Sequence, residues 1–200
     1  MKLPLLLGAM LGFSLGHAGP GGVKFDYLKV RGNTAESTHK AKYKLEIDKS
    51  FKPLGEFHHQ PVYEGVQFNV SLAAFSRGES IVMMHAETHT DGSGGLDYSK
   101  LRPETLDGVK FNTREQCATP AEVPDPYSNP EFRFLRDKGF KAVLPIYLKQ
   151  YLATSPDGAA EVVLSYGKRV AACGDATITP EFKAEVDREV RSSMKVTMKR

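Results

Sequence analysis

The sequence predicts an α+β fold: a mostly antiparallel sheet with a C-terminal amphipathic helix packed on one face. A β-sandwich or barrel with an external helix is the alternative. Two observations carry this reading. Segments of period-two alternation recur along the chain, two pairs of them joined by short turns of hairpin chemistry. One stretch near the C-terminus switches to a helical period. The chain has 200 residues, 40% hydrophobic and 26% charged, proportions of an ordinary globular domain. They exclude a disordered tail, a collagen-like repeat and a multi-span membrane protein. With 27 basic against 24 acidic residues and a net charge of +3, no nucleic-acid partner is expected, since such proteins mass basic residues on one face.

Taken in order, Val23 to Val30 reads as a first strand, closed by a turn at Gly32-Asn33. Tyr43, Leu45 and Ile47 alternate with Lys44, Glu46 and Asp48 as a half-buried strand, and Pro53-Leu54-Gly55 is expected to break the pattern. Val66 to Phe75 and Ser80 to Thr90 read as a hairpin around Ser76-Arg77-Gly78-Glu79. The second of these strands is apolar on both faces, which suggests a central position. Residues 101–130, punctuated by Pro103, Pro120, Pro124, Pro126 and Pro130, read as a long irregular excursion. Phe132 to Lys138 reads as a strand with its aromatics turned inward. Ala142 to Leu152 alternates well, and Pro145 within it argues for a sheet edge. Ser155-Pro156-Asp157-Gly158 is a turn, and Glu161 to Tyr166 is the returning partner. Thr179 caps a helix from about 180 to 194, with Pro180 in the first position and Phe182, Val186, Val190 and Met194 as its apolar stripe.

The N-terminus has the layout of a secretory signal peptide. Lys2 is a short basic region, Leu3 to Leu15 an apolar core, and Gly16-His17-Ala18 a small-x-small cleavage site. The apolar run is short of the roughly 20 residues that a membrane span needs, so no stable membrane anchor is expected. Residues 1–18 are then a signal peptide and 19–200 a single domain, exported to the periplasm or the extracellular space after cleavage near Ala18. The two cysteines, Cys117 and Cys173, suit a disulfide in an oxidising compartment.

One segment carries candidate chemistry. In His85-Ala86-Glu87-Thr88-His89, alternation places His85, Glu87 and His89 on one face of a strand. Two imidazoles and a carboxylate, with Asp91 just beyond, are ligand types for a divalent metal. The ordinary alternative is one half-buried histidine beside a solvated strand end. His58 or His59 would complete a metal site if their strand neighbours that of His85. The twelve residues from His89 to Lys100 resemble an EF-hand calcium loop at Asp91, Ser93, Gly94, Leu96 and Asp97. They depart from it at His89 and Lys100, where the first and last carboxylates belong. No phosphate loop, dinucleotide turn or nucleophile elbow is present. The resulting expectation is a non-enzymatic exported binding or accessory module for a protein or small-molecule ligand. A metal-dependent protein, perhaps a hydrolase, using His85, Glu87, His89 and Asp91 is one alternative. A carrier of small apolar ligands is the other.

Overall fold

The computed structural model describes residues 25–63, 65–119, 129–141 and 145–199. The expected signal peptide, Val23 and Lys24 of the first proposed strand, Pro120 to Pro126 and Ala142 to Leu144 lie outside them. The elements run β1 (Leu28–Arg31), β2 (Thr34–Ser37), β3 (Tyr43–Ile47), β4 (Lys52–His59), β5 (Val62–Tyr63), β6 (Val66–Arg77), β7 (Ser80–His89), β8 (Arg102–Leu106), β9 (Val109–Ala118), α1 (Pro130–Asp137), β10 (Ile146–Thr154), β11 (Ala160–Arg169), α2 (Pro180–Ser193) and β12 (Met194–Met198). A small sheet has the order β1-β2-β3-β12. The large one runs β4-β6-β7-β11-β10-β9-β8, with β5 paired to β6. Each pairing is antiparallel. Among the described residues neither sheet closes into a barrel.

Both expected hairpins form. In β6–β7, Arg77 stands opposite Ser80, so the connection is only Gly78-Glu79; Gly78 takes the positive φ of 57° that such a tight turn needs. In β10–β11, Thr154 faces Glu161 across the Ser155–Gly158 turn. The C-terminal helix starts as expected, with Thr179 accepting from the Phe182 amide and Pro180 at its head. It ends at Ser193 because Met194 already has extended backbone and pairs with Ile47 of β3. Phe182 meets Tyr147 edge-on at 5.2 Å between ring centroids.

Four sequence expectations are corrected. First, residues 102–118 of the expected irregular excursion are ordered as a hairpin, β8 and β9 turning around Asp107-Gly108. Both turn residues have positive φ, 51° and 80°, the pattern that favours Asp-Gly in two-residue hairpins. Pro103 is tolerated because β8 is a sheet edge. Second, Phe132 to Lys138 belongs largely to a helix. Asn129 accepts from the Glu131 and Phe132 amides and Pro130 occupies the first turn, a strong start signal. Third, β10 lies between β11 and β9 rather than at an edge, since Pro145 precedes its first residue and costs the ladder nothing. Fourth, Pro53 and Gly55 do not end a strand: β4 runs through them with a register shift, and Gly55 takes φ 110° at that bulge.

Alternation gives the large sheet two different faces. On one, Phe75, Val82, Met84, Val162, Leu164 and Tyr151 join Leu28, Tyr43, Leu45, Ile47 and Val196 of the small sheet and Val186 and Val190 of α2 in a single hydrophobic cluster. On the other, Leu72, Ala74, Ile81, Met83, Ile146 and Leu148 pack with Phe134 and Leu135 of α1 and with Phe140. Gly167 leaves room there. A Cβ at that position would lie 2.7 Å from Ile81 Cγ2 and 3.1 Å from Leu148 Cδ2.

Cys117 of β9 is disulfide-bonded to Cys173 in the segment after β11, 56 residues away. It ties the link between β11 and α2 to the β9 side of the sheet. Among the described residues no helix is long and apolar enough to cross a membrane. Chain-entropy reckoning for a loop of this length gives a stabilisation of about 4 kcal/mol. Urea unfolding of the Cys117→Ser/Cys173→Ser double variant is therefore expected to show a lower midpoint and a steeper slope, because the unfolded chain freed of its cross-link exposes more surface.

Candidate functional site

The second face of the large sheet changes character along β7. Ile81 and Met83 belong to the apolar cluster, and the next residues on the same face are His85, Glu87 and His89. Register places Glu87 opposite Glu161 of β11 and Val70 of β6. It places Ser165 opposite Gln150 of β10, and Gln150 opposite Arg114 of β9. His59 of β4 stands opposite Val70. One polar patch thus draws on five strands, β4 and the run β7, β11, β10 and β9 with β6 between them, and α1 adds Glu131 to it.

The patch is buried. His85, Glu87 and Glu161 are each 2% exposed, and Glu131 is 6% exposed. Glu131 receives two imidazoles, with Oε1 at 2.8 Å from His59 Nε2 and Oε2 at 3.4 Å from His85 Nε2. The Tyr98 hydroxyl donates to Glu161 Oε2 at 2.5 Å. Arg114 donates through Nε and Nη2 to Gln150 Oε1 at 3.0 and 2.7 Å, and the Gln150 amide donates to Ser165 Oγ at 3.2 Å.

The three carboxylates are not equivalent. Burial pushes Glu161 up to about 6, against the pull of the Tyr98 hydroxyl, His85 and Arg114. Burial also raises Glu87 well above the usual glutamate range, reinforced by the charges of Glu161 and Glu131. For Glu131 burial works upward too, but His85 and His59 outweigh it and hold the group well below that range. Neighbouring carboxyls pushed apart in this way separate into a proton holder and a fixed anion.

Of the residues singled out from sequence, His85, Glu87 and His89 do share the face that alternation assigns them. They are all buried, so the picture of a solvated strand end is corrected. His89 turns away from the carboxylates: its Nδ1 lies 2.7 Å from Ser93 Oγ, and its ring sits edge-on to Phe68 at 4.6 Å. Asp91 is exposed and accepts from the Ser93 amide in a local turn. The calcium-loop lookalike is a glycine-rich connection docked on the β10–β11 turn. Leu96 donates to Gly158 O, and Gly94 comes so close that a Cβ would lie 2.6 Å from Asp157 O. His59 is drawn to His85 through their common partner Glu131, although β6 separates their strands. Among the described residues, no three donors from His59, His85, Glu87, His89, Asp91, Glu131 and Glu161 lie within 4.8 Å of one another. That spacing is met by Asp26, Glu56 and His58, all exposed.

Sequence reasoning missed Glu131, Glu161, Gln150, Arg114 and Tyr98. Glu161 had a usable signal, since it opens the returning strand of the β10–β11 hairpin. Its place beside Glu87 depends on β7 pairing with β11, a long-range choice that local pattern does not encode. No protein-family model matches this chain, and no curated protein or solved structure does.

The raised carboxyls set a pH dependence. Below the ordinary glutamate value of 4.5, Glu161 is protonated whether the chain is folded or not. Between there and about 6 the folded protein keeps a proton that the unfolded chain has lost, so stability falls as pH rises. Glu87 acts in the same direction. Glu131 acts oppositely, contributing in full above 4.5 and losing that contribution only as pH falls through its depressed folded value. Thermal unfolding across this window is expected to show a smaller loss of stability with rising pH for Glu161→Gln than for the native protein.

Proposed function

We propose that this chain is an exported, non-enzymatic binding module that takes up a small polar ligand at the Glu87–Glu161 face. The observation carrying the reading is the cross-strand pair of buried carboxylates. Burying a charge is costly unless it is paired and hydrogen-bonded, and here two like groups lie side by side. Elsewhere the same fold neutralises buried charge. Lys149, 2% exposed on the opposite face, has Glu104 at 3.1 Å and Asp187 as a second carboxylate partner. A network serving stability alone resembles the Lys149 cluster, whereas strongly perturbed carboxyls grouped on one face are the mark of a functional site. The site is built on strands and a capped helix, which hold a binding constellation more rigidly than loops do.

Export rests on the three-part N-terminal layout together with the disulfide. The metal-dependent reading over His85, Glu87, His89 and Asp91 stands behind the binding reading. The convergence of His59 and His85 on Glu131 favours it. Elemental analysis of protein purified without chelator, beside His59→Ala/His85→Ala, separates the two. Stoichiometric metal lost in the double variant would put the metal first.

The binding reading is tested by a thermal-shift screen of small polar metabolites against residues 19–200 and against Glu87→Gln. Glu87→Gln itself is expected to melt no lower at pH 7, because burial already disfavours the charged carboxylate that the amide replaces. Ligands that stabilise the native protein are expected to lose their effect on the variant. Ligands that stabilise both equally would bind elsewhere and sink the proposal.

A further inference from the structure

The edge strand β4 carries a separate group of ligand atoms. Glu56 and His58 lie two residues apart on it, opposite Ala73 and Ser71 of β6. They therefore share the face that Ala73 turns to the core beneath the small sheet. Asp26 comes from another part of the chain, the segment leading into β1. One oxygen from each carboxylate and one ring nitrogen of His58 lie within 4.8 Å of one another. All three residues are exposed, so an ion can enter from solvent and water can complete its coordination.

A buried hydroxyl sets this convergence. Ser71, 0% exposed, has its Oγ 2.9 Å from His58 Nδ1 and accepts from the Tyr27 amide at 3.1 Å. One side chain thus holds both the imidazole and the residue next to Asp26. Metal-binding imidazoles are commonly oriented by such a hydrogen bond. The Phe25 ring also stands edge-on to His58, at 6.0 Å between centroids. Asp26 Oδ1 accepts from the Leu28 amide at 3.3 Å.

The negative charge here is not met by a basic side chain. Elsewhere on the surface Asp157 has Lys40 at 2.6 Å, Glu185 has Lys168 at 2.6 Å and Glu115 has Lys183 at 2.9 Å. Among the described residues no lysine or arginine pairs with Asp26 or Glu56. Burial and the charge of Asp26 push the Glu56 carboxyl up, while His58 and the Val30 amide pull it back.

We infer that Asp26, Glu56 and His58 form a site for a divalent transition-metal ion of the zinc type, with solvent in the remaining coordination positions. The site is independent of the Glu87–Glu161 reading and lies on the opposite face of the sheet. Histidine with carboxylates is a zinc ligand set, and three protein ligands beside an open position is a form that zinc takes. Calcium and magnesium favour shells of oxygen, so the imidazole decides the class of ion. A bound ion would join the lead-in of the small sheet to the edge of the large one.

The test titrates Zn²⁺ into metal-free protein by calorimetry at pH 7, with Ca²⁺ as the oxygen-seeking control, and follows the ring resonances of His58. One Zn²⁺ per chain is expected, with a shift at His58, and Ca²⁺ at equal concentration is expected to give neither. Losing a group that only orients a ligand costs metal sites about 10–100-fold, so losing the ligand in His58→Ala is expected to weaken Zn²⁺ binding by about 100-fold or more. Asp26→Asn/Glu56→Gln is expected to weaken it comparably. Both variants are expected to melt with the native protein in the absence of metal, because the substituted side chains are exposed. Glu87→Gln is expected to bind Zn²⁺ as the native protein does. No Zn²⁺ binding, binding that His58→Ala leaves intact, or Ca²⁺ binding that matches it would each overturn the inference. Zn²⁺ lost in Glu87→Gln and kept in His58→Ala would overturn it too, and would place the metal on the interior face instead.

Discussion

β7 is flanked by β6 on one side and β11 on the other, and both of its faces are covered. Strict alternation on such a strand assigns every second residue to each of two interiors. Val82, Met84 and Ala86 go to the core shared with the small sheet. Ile81, Met83, His85, Glu87 and His89 go to the other face. A slip of one residue would exchange the two sets and bury the imidazoles and carboxylate among aliphatic side chains. The apolar residues at the start of the strand therefore do more than fill space: they lock the register that brings Glu87 beside Glu161 and His85 beneath Glu131.

The two interiors handle charge differently, and the contrast is energetic. Lys149 sits on the core face, yet its ammonium reaches Glu104 and Asp187, so the buried charge is met by opposite charges at the margin of the sheet. Tyr166, also on that face, directs its hydroxyl to Glu189, and burial and that carboxylate push it up to about 12 against the pull of Ser80 and Arg77. Such arrangements hold α2 to β10 and β11 while leaving little charge unmet. Across the sheet, Glu131 is met by imidazoles, while Glu87 and Glu161 face each other. Stability has to come from elsewhere for that face to persist. Two shared hydrophobic clusters and a disulfide closing a long loop are sufficient sources, because native stability is a small remainder of large terms.

Much of the fold was legible because it is local. The β6–β7 and β10–β11 hairpins and the start of α2 follow from turn and cap residues within a few positions of the elements they join. Where reading failed, a local signal was present but subordinated to a louder one. Asp107-Gly108 is a hairpin dipeptide, and it was overridden by the prolines around it. Asn129-Pro130-Glu131 is a helix start, and it was overridden by the alternation of Phe132 and Phe134. The site was half legible for another reason. Alternation gives His85, Glu87 and His89 a common face, but whether they converge depends on neighbours. Glu161 reaches Glu87 only through the β7–β11 pairing, and Glu131 reaches His85 only because α1 lies on this face. His89 and Asp91, close in sequence, are drawn off by Ser93.

α1 also explains how a carboxylate from a short helix can be held between two imidazoles. Eight residues are too few for a helix to be stable alone, so its position must come from packing. Phe134 and Leu135 enter the apolar cluster with Leu72 and Met83. Phe134 stacks on Phe57 of β4 at 5.2 Å, and Phe57 stacks in turn on His59 at the same separation. His59 then pairs with Glu131, at the opposite end of α1 from its C-cap. The helix is thus gripped twice by β4, once through aromatic contact and once through the ion pair, with the Asn129 cap fixing its first turn. Loosening either grip frees Glu131, and with it the contact to His85 Nε2. The apolar half of this face and its polar half are in this sense one device: hydrophobic packing of α1 sets where its carboxylate meets an imidazole of β7.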